Sequence, residues 1–137
     1  MQMKKLLLVL ASVSLGCSSY ELTTPTQDSL AGKWNLTAVD GNALPYEVLH
    51  AGSNKQEVVA DVLTITAPNT FTEITTVRNT ENGQVTTQTI TDSGIYEFNS
   101  YVVTFHFQSN GSTGAGTLTG RTMQVATSGI SFTYKKQ

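Results

Sequence analysis

From Asp28 to Gln137 apolar and polar residues alternate with a period of two, and turn-forming residues interrupt the alternation about every eight to twelve positions. No helical period persists over a helix-length window. The pattern predicts strands over Lys33–Val39, Glu57–Thr66, Thr70–Arg78, Gln84–Thr91, Ile95–Asn99, Tyr101–Phe107, Thr113–Thr119, Arg121–Ala126 and Ile130–Lys135. Asp40-Gly41, Pro68-Asn69, Asn82-Gly83, Asp92-Ser93-Gly94, Asn99-Ser100 and Ser128-Gly129 provide the turns between them. The clearest strand is Tyr101–Phe107, which puts Tyr101, Val103, Phe105 and Phe107 on one face and Val102, Thr104 and His106 on the other. Asn42–Lys55 reads as a long loop with one helical turn at Tyr46–Leu49, placed to cover an end of the fold. Consecutive short antiparallel strands favour an all-β, up-and-down barrel of about eight or nine strands, because closure removes exposed edges; a two-sheet sandwich is the alternative.

Composition narrows the class. The chain has 22 threonines, which favour strands, and 39% hydrophobic residues, too many for a disordered tail. Only 13% of residues are charged and the formal net charge is −2, so the electrostatic footprint of a nucleic-acid-binding protein is lacking.

The pattern changes before Asp28. Met1-Gln2-Met3-Lys4-Lys5 is a short basic segment, and Leu6 to Leu15 carries no charge. This is the signature of a secretory signal peptide over residues 1–16. A bilayer-spanning helix needs about 20 apolar residues, so a transmembrane anchor is disfavoured. Ser18 to Gln27 is rich in Ser, Thr and Pro without a hydrophobic period and reads, with Cys17, as a flexible tether over residues 17–27. Residues 28–137 form the predicted domain, large enough for one core without disulfides.

Ser14-Leu15-Gly16-Cys17 resembles the lipobox of bacterial lipoproteins, and Cys17 is the only cysteine. The resemblance implies cleavage before Cys17 and its acylation with palmitate-type chains. It places the protein in the bacterial cell envelope, on the outer membrane or cell surface, with the membrane as partner through Cys17. Ser14 occupies a position where that family usually has Leu. The alternative is ordinary signal cleavage that leaves Cys17 as a free thiol, a liability in an oxidising compartment.

Leu30-Ala31-Gly32-Lys33-Trp34 sets a Gly-x-Trp at the start of the first predicted strand. That motif, with Gly41-Asn42-Ala43-Leu44-Pro45 and Asp92-Ser93-Gly94-Ile95-Tyr96, resembles small bacterial lipocalin-like lipoproteins. The resemblance implies that Trp34 plugs the closed end of a barrel and that a basic residue of the last strand, Lys135 or its neighbour Lys136, packs over the ring. Thr119–Ile130 leaves no room for the helix that precedes the last lipocalin strand, so the version here is helix-poor.

Candidate chemistry is sparse. His50 and His106 have no Cys or His at ligand spacing, so no metal or other cofactor is expected. Gly111-Ser112-Thr113-Gly114 is not a nucleophile elbow, because no helix follows it. Glu73 shares the face of Phe71 and either lines a polar interior or is solvated at a strand end. The expected function is therefore binding, not catalysis: a small apolar or amphipathic ligand held by Leu36, Glu73, Tyr101, Val103, Phe105 and Phe132. The alternative is a structural or protein-interaction module of the envelope with a filled barrel.

Overall fold

The computed structural model describes residues 24–137. The expected signal peptide, Cys17 and most of the expected tether lie outside the described residues. A four-residue helical turn, α1 (Gln27–Leu30), leads into ten strands: β1 (Gly32–Val39), β2 (Asn42–Ala43), β3 (Tyr46–Ala51), β4 (Asn54–Thr66), β5 (Thr70–Glu81), β6 (Gln84–Asn99), β7 (Val102–Phe107), β8 (Thr113–Thr119), β9 (Thr122–Thr127) and β10 (Ile130–Lys136). Strands β4 to β10 pair antiparallel in sequence order, and β1 closes the sheet by pairing with both β10 and β4. The result is a closed, up-and-down antiparallel barrel of eight strands, with β2 and β3 as additional strands paired to β1 and β4.

Three of its hairpins turn on a residue pair whose two φ angles are both positive: Asp40-Gly41, Asn82-Gly83 and Ser128-Gly129. Such turns match the right-handed twist of the strands they join. A fourth turn differs from expectation by one residue. Asn99 pairs with Val102, so the two turn residues are Ser100, at φ 60°, and Tyr101. Tyr101 consequently sits in the turn, 41% exposed, and does not face the interior.

Two further expectations change. Asp92-Ser93-Gly94 is no turn: β6 runs through it without a break, pairing with β5 from Gln84 to Ile95 and with β7 from Gly94 to Asn99. Glycine is needed here for close approach, since a Cβ at Gly94 would overlap the His106 carbonyl oxygen. The segment Asn42–Lys55 holds β2 and β3, not a loop with a helical turn. β4 outruns its β1 partner, and β3 pairs with the backbone left over, from Asn54 to Val58.

The barrel has one closed end. Leu30 and Trp34 are fully buried there, and Trp34 Nε1 donates to the Leu30 carbonyl at 2.8 Å. The Lys136 ammonium lies 5.6 Å from the centre of the Trp34 ring and donates to the Ser29 carbonyl. The cation over the ring is thus Lys136, while Lys135 is exposed on the next position of β10. Gly32 explains the spacing of the motif: its φ of +126° disfavours L side chains, and a Cβ would come 3.2 Å from Lys136 Cε. Above this plug Leu36, Leu63, Ile65, Phe71, Val103, Phe105, Leu118 and Met123 fill the lower barrel.

Candidate functional site

At the other end the interior opens. Strands β5, β6, β7, β9 and β10 and the loop before β8 surround a cavity of about 310 Å³, at the lower end of the size range of small-molecule sites. Its apolar wall is Phe107, Val125 and Phe132. Its polar wall is Glu73, Thr75, Asp92 and Tyr134, with Asn110, Ser112, Thr127 and Ser128 at the rim. Phe71 forms the boundary with the packed half, meeting Phe105 and Phe107 edge to face at 5.1 Å each.

The polar wall is built by strand parity. On β5, Phe71, Glu73 and Thr75 share the inward face, and the register sets Asp61 of β4 opposite Thr75 and Asp92 of β6 opposite Glu73. Tyr134 reaches across from β10 and donates its hydroxyl to Glu73 Oε1 at 2.9 Å. Thr75 Oγ1 donates to Asp61 Oδ2 at 2.6 Å. Asp61 Oδ1 is buried with no hydrogen-bond partner. Asp92 is held in place by the Ser93 N–H, at 2.7 Å, and by the Ser109 hydroxyl.

Among the described residues these carboxyl groups have no cationic partner, and their acidity responds. Burial, then the nearby charge of Asp61, pushes Glu73 up to about 7, against the opposing hydrogen bond from Tyr134. Burial raises Asp61 as well. Tyr134 is held well above its ordinary range by burial and by the two carboxylates, so it is a hydroxyl donor at neutral pH. Glu57, on the outer face of β4, shows the opposite environment. Lys55 lies 3.1 Å and Arg78 2.9 Å from its oxygens, and its carboxyl is lowered.

A stability consequence follows from Glu73. Its folded pKa, about 7, stands above its ordinary 4.5, so between these values the folded state binds more protons than the unfolded. Stability from this group is present below about pH 4.5 and is lost as pH rises through about 7. Glu73→Gln, which keeps an acceptor for Tyr134, is expected to stabilise the protein by about 1 to 3 kcal/mol at pH 8 and by far less at pH 5. Urea denaturation at the two pH values checks this; an equal effect at both would contradict it.

Of the residues expected to bind a ligand, Glu73 and Phe132 line the cavity. Leu36, Val103 and Phe105 face inward but belong to the packed core. Thr75, Asp92, Phe107, Val125 and Tyr134 complete the cavity lining, and Asp61 lies opposite Thr75; none of the six was among the candidates. Parity was the available signal for Asp61, which lies in phase with Leu63 and Ile65, and for Tyr134, in phase with Phe132. Among the described residues, no group of three or more His, Cys, Asp or Glu side chains is placed to hold a metal ion.

Comparisons of the chain with protein-family models, with curated proteins and with solved structures find no match.

Proposed function

We propose that this chain is a lipocalin-like envelope lipoprotein that binds a small amphipathic molecule in its open-end cavity and releases it unchanged. The observation that carries the reading is the division of one cavity into an aromatic and aliphatic wall and a carboxyl and hydroxyl wall. Such a lining both buries a tail and orients a polar head. The Gly-x-Trp plug at the opposite end supports the lipocalin-like assignment, since Gly32, Trp34 and Lys136 serve one closed end. Attachment through acylated Cys17 rests on the lipobox-like tetrapeptide and basic leader. Cys17→Ser is expected to move the protein from the detergent phase to the aqueous phase on phase partitioning, and retention in detergent would contradict the anchor.

Binding is tested on the chain from Ser18 onward, which contains every strand of the barrel. Titration with the neutral fluorophore N-phenyl-1-naphthylamine should saturate at one site per chain. Thr127→Trp, at the rim, should weaken binding at least tenfold by filling the mouth. Tyr101→Ala, in the turn at the closed end, should leave it unchanged. Absence of saturable binding would favour the interaction-module reading, for which the bare edge of β6 provides a specific surface. There residues 84–91 pair, among the described residues, only with β5, and they carry no charge.

A further inference from the structure

The interior polarity points further, to the charge of the ligand. We propose, on the basis of the binding function above, that the cavity selects amphiphiles with a positively charged head, an ammonium group seated against Glu73 with its tail against Phe107, Val125 and Phe132.

Three carboxyl groups converge on this end from neighbouring strands: Asp61 from β4, Glu73 from β5 and Asp92 from β6. The groups facing them from other elements are neutral, namely Tyr134 of β10, Phe107 of β7, Val125 and Thr127 of β9, and Asn110 and Ser112 of the loop between β7 and β8. Among the described residues, no Lys, Arg or His lines the cavity. The protein pairs a carboxylate with bases elsewhere, as Glu57 shows, so the unpaired interior set is a local feature.

A second observation is independent of the number of carboxylates. Asp61 is 5% exposed, and its Oδ1 has no hydrogen-bond partner although the other oxygen is satisfied by Thr75. A buried acceptor without a donor is unfavourable, and a positive head seated against Glu73 offsets the negative charge of Asp61, which lies close enough to act on Glu73. Charge-assisted hydrogen bonds from an ammonium group to carboxylate are stronger than those between neutral groups. A carboxylate head would meet the carboxyl groups of Glu73 and Asp92 on the polar wall with no base to balance its charge, so fatty acids are disfavoured.

The test compares three eight-carbon ligands that share a tail: octylamine, octanol and octanoate. Calorimetric titration of the chain from Ser18 onward is performed at pH 8, where Glu73 is mainly ionised and an alkylamine remains protonated. Octylamine is expected to bind at least tenfold tighter than octanol, and octanoate most weakly. Between pH 6 and pH 8 the affinity for octylamine should rise severalfold, while that for octanol stays level. Glu73→Gln should reduce the preference for amine over alcohol to within about threefold and keep octanol binding; Asp92→Asn, at the other side of the polar wall, should reduce it in part. If Glu73→Gln does not melt cooperatively, Asp92→Asn and the pH series carry the test. Equal binding of octylamine and octanol, or tighter octanoate, would overturn the cationic assignment while leaving a binding cavity in place. Failure of all three to bind would overturn both.

Discussion

Trp34→Ala is expected to destabilise the barrel by about 3 to 5 kcal/mol, the range for truncating a large buried aromatic. The side chain is fully buried, and removing it leaves three groups without their partner. The Leu30 carbonyl loses the indole N–H, the Lys136 ammonium loses the ring beneath it, and Leu30 loses its packing surface at the closed end. The carbonyl can turn to water only if α1 lifts, which opens the end of the barrel. Trp34→Phe separates the contributions: it keeps a ring under Lys136 and loses the hydrogen bond, and should cost about 1 to 3 kcal/mol. Urea denaturation followed by circular dichroism reads both variants. A cost below about 1 kcal/mol for the alanine variant would show that the closed end is not held by this plug.

Gly94→Ala is expected to be as damaging, with a loss of about 3 kcal/mol or more, from a single added methyl group. The added Cβ would overlap the His106 carbonyl oxygen and come 2.8 Å from Phe71 Cε1 and 3.0 Å from the His106 carbonyl carbon. Two of these three neighbours are backbone, which cannot rotate away as a flexible side chain does. The position is where β6 takes on β7 as its second partner, with Gly94 opposite Phe107. Separating β6 from β7 here would break the ladder that closes the sheet below the cavity. Thr91→Ala, three residues earlier on the exposed part of β6, should change stability by no more than about 0.5 kcal/mol. If the two alanine variants share a denaturation midpoint with the parent, the close approach of β6 and β7 is wrong.

Much of the barrel was legible because most of its strands have one apolar face and one polar face. In β7, β9 and β10 the inward positions Val103, Phe105, Met123, Val125 and Tyr134 alternate with Thr104, Gln124 and Thr133, and register follows from parity. That signal fails where a strand has no buried face. β3 is exposed along most of its length, so Val48 and Leu49 carried no period and the segment read as a loop. The same holds for Gln84–Thr91, all exposed, although its β-branched residues marked it as a strand. Asp92-Ser93-Gly94 misled for another reason: residues that permit a turn are also those that allow two backbones to meet, and the sequence does not say which use is made of them.

The site was harder to see than the fold. Glu73 stood out because it follows Phe71 on the same face, and Phe132 because it is an inward aromatic. Leu36, Val103 and Phe105 are equally inward and apolar, yet they pack into the core and do not line the cavity. Depth along the barrel separates core from lining, and depth is set by the pairing of distant strands, not by local pattern. Asp61 and Thr75 interrupt apolar faces, and only the register brings them opposite each other. The choice between Lys135 and Lys136 turns on the pairing of Trp34 with Lys136 across β1 and β10, where a one-residue shift reverses the face.

The binding cavity is the central claim, and chemical-shift mapping of the chain from Ser18 onward during titration with N-phenyl-1-naphthylamine tests it most directly. Ring currents from the bound probe should shift the Val125 methyls and the Phe107 and Phe132 rings, while the Val103 and Leu63 methyls in the packed half stay within the spread of unperturbed signals. Shifts confined to Val48, Leu49, Val85 and Ile90, which are exposed on β3 and β6, would place the probe on the outer ribbon and contradict a site inside the barrel.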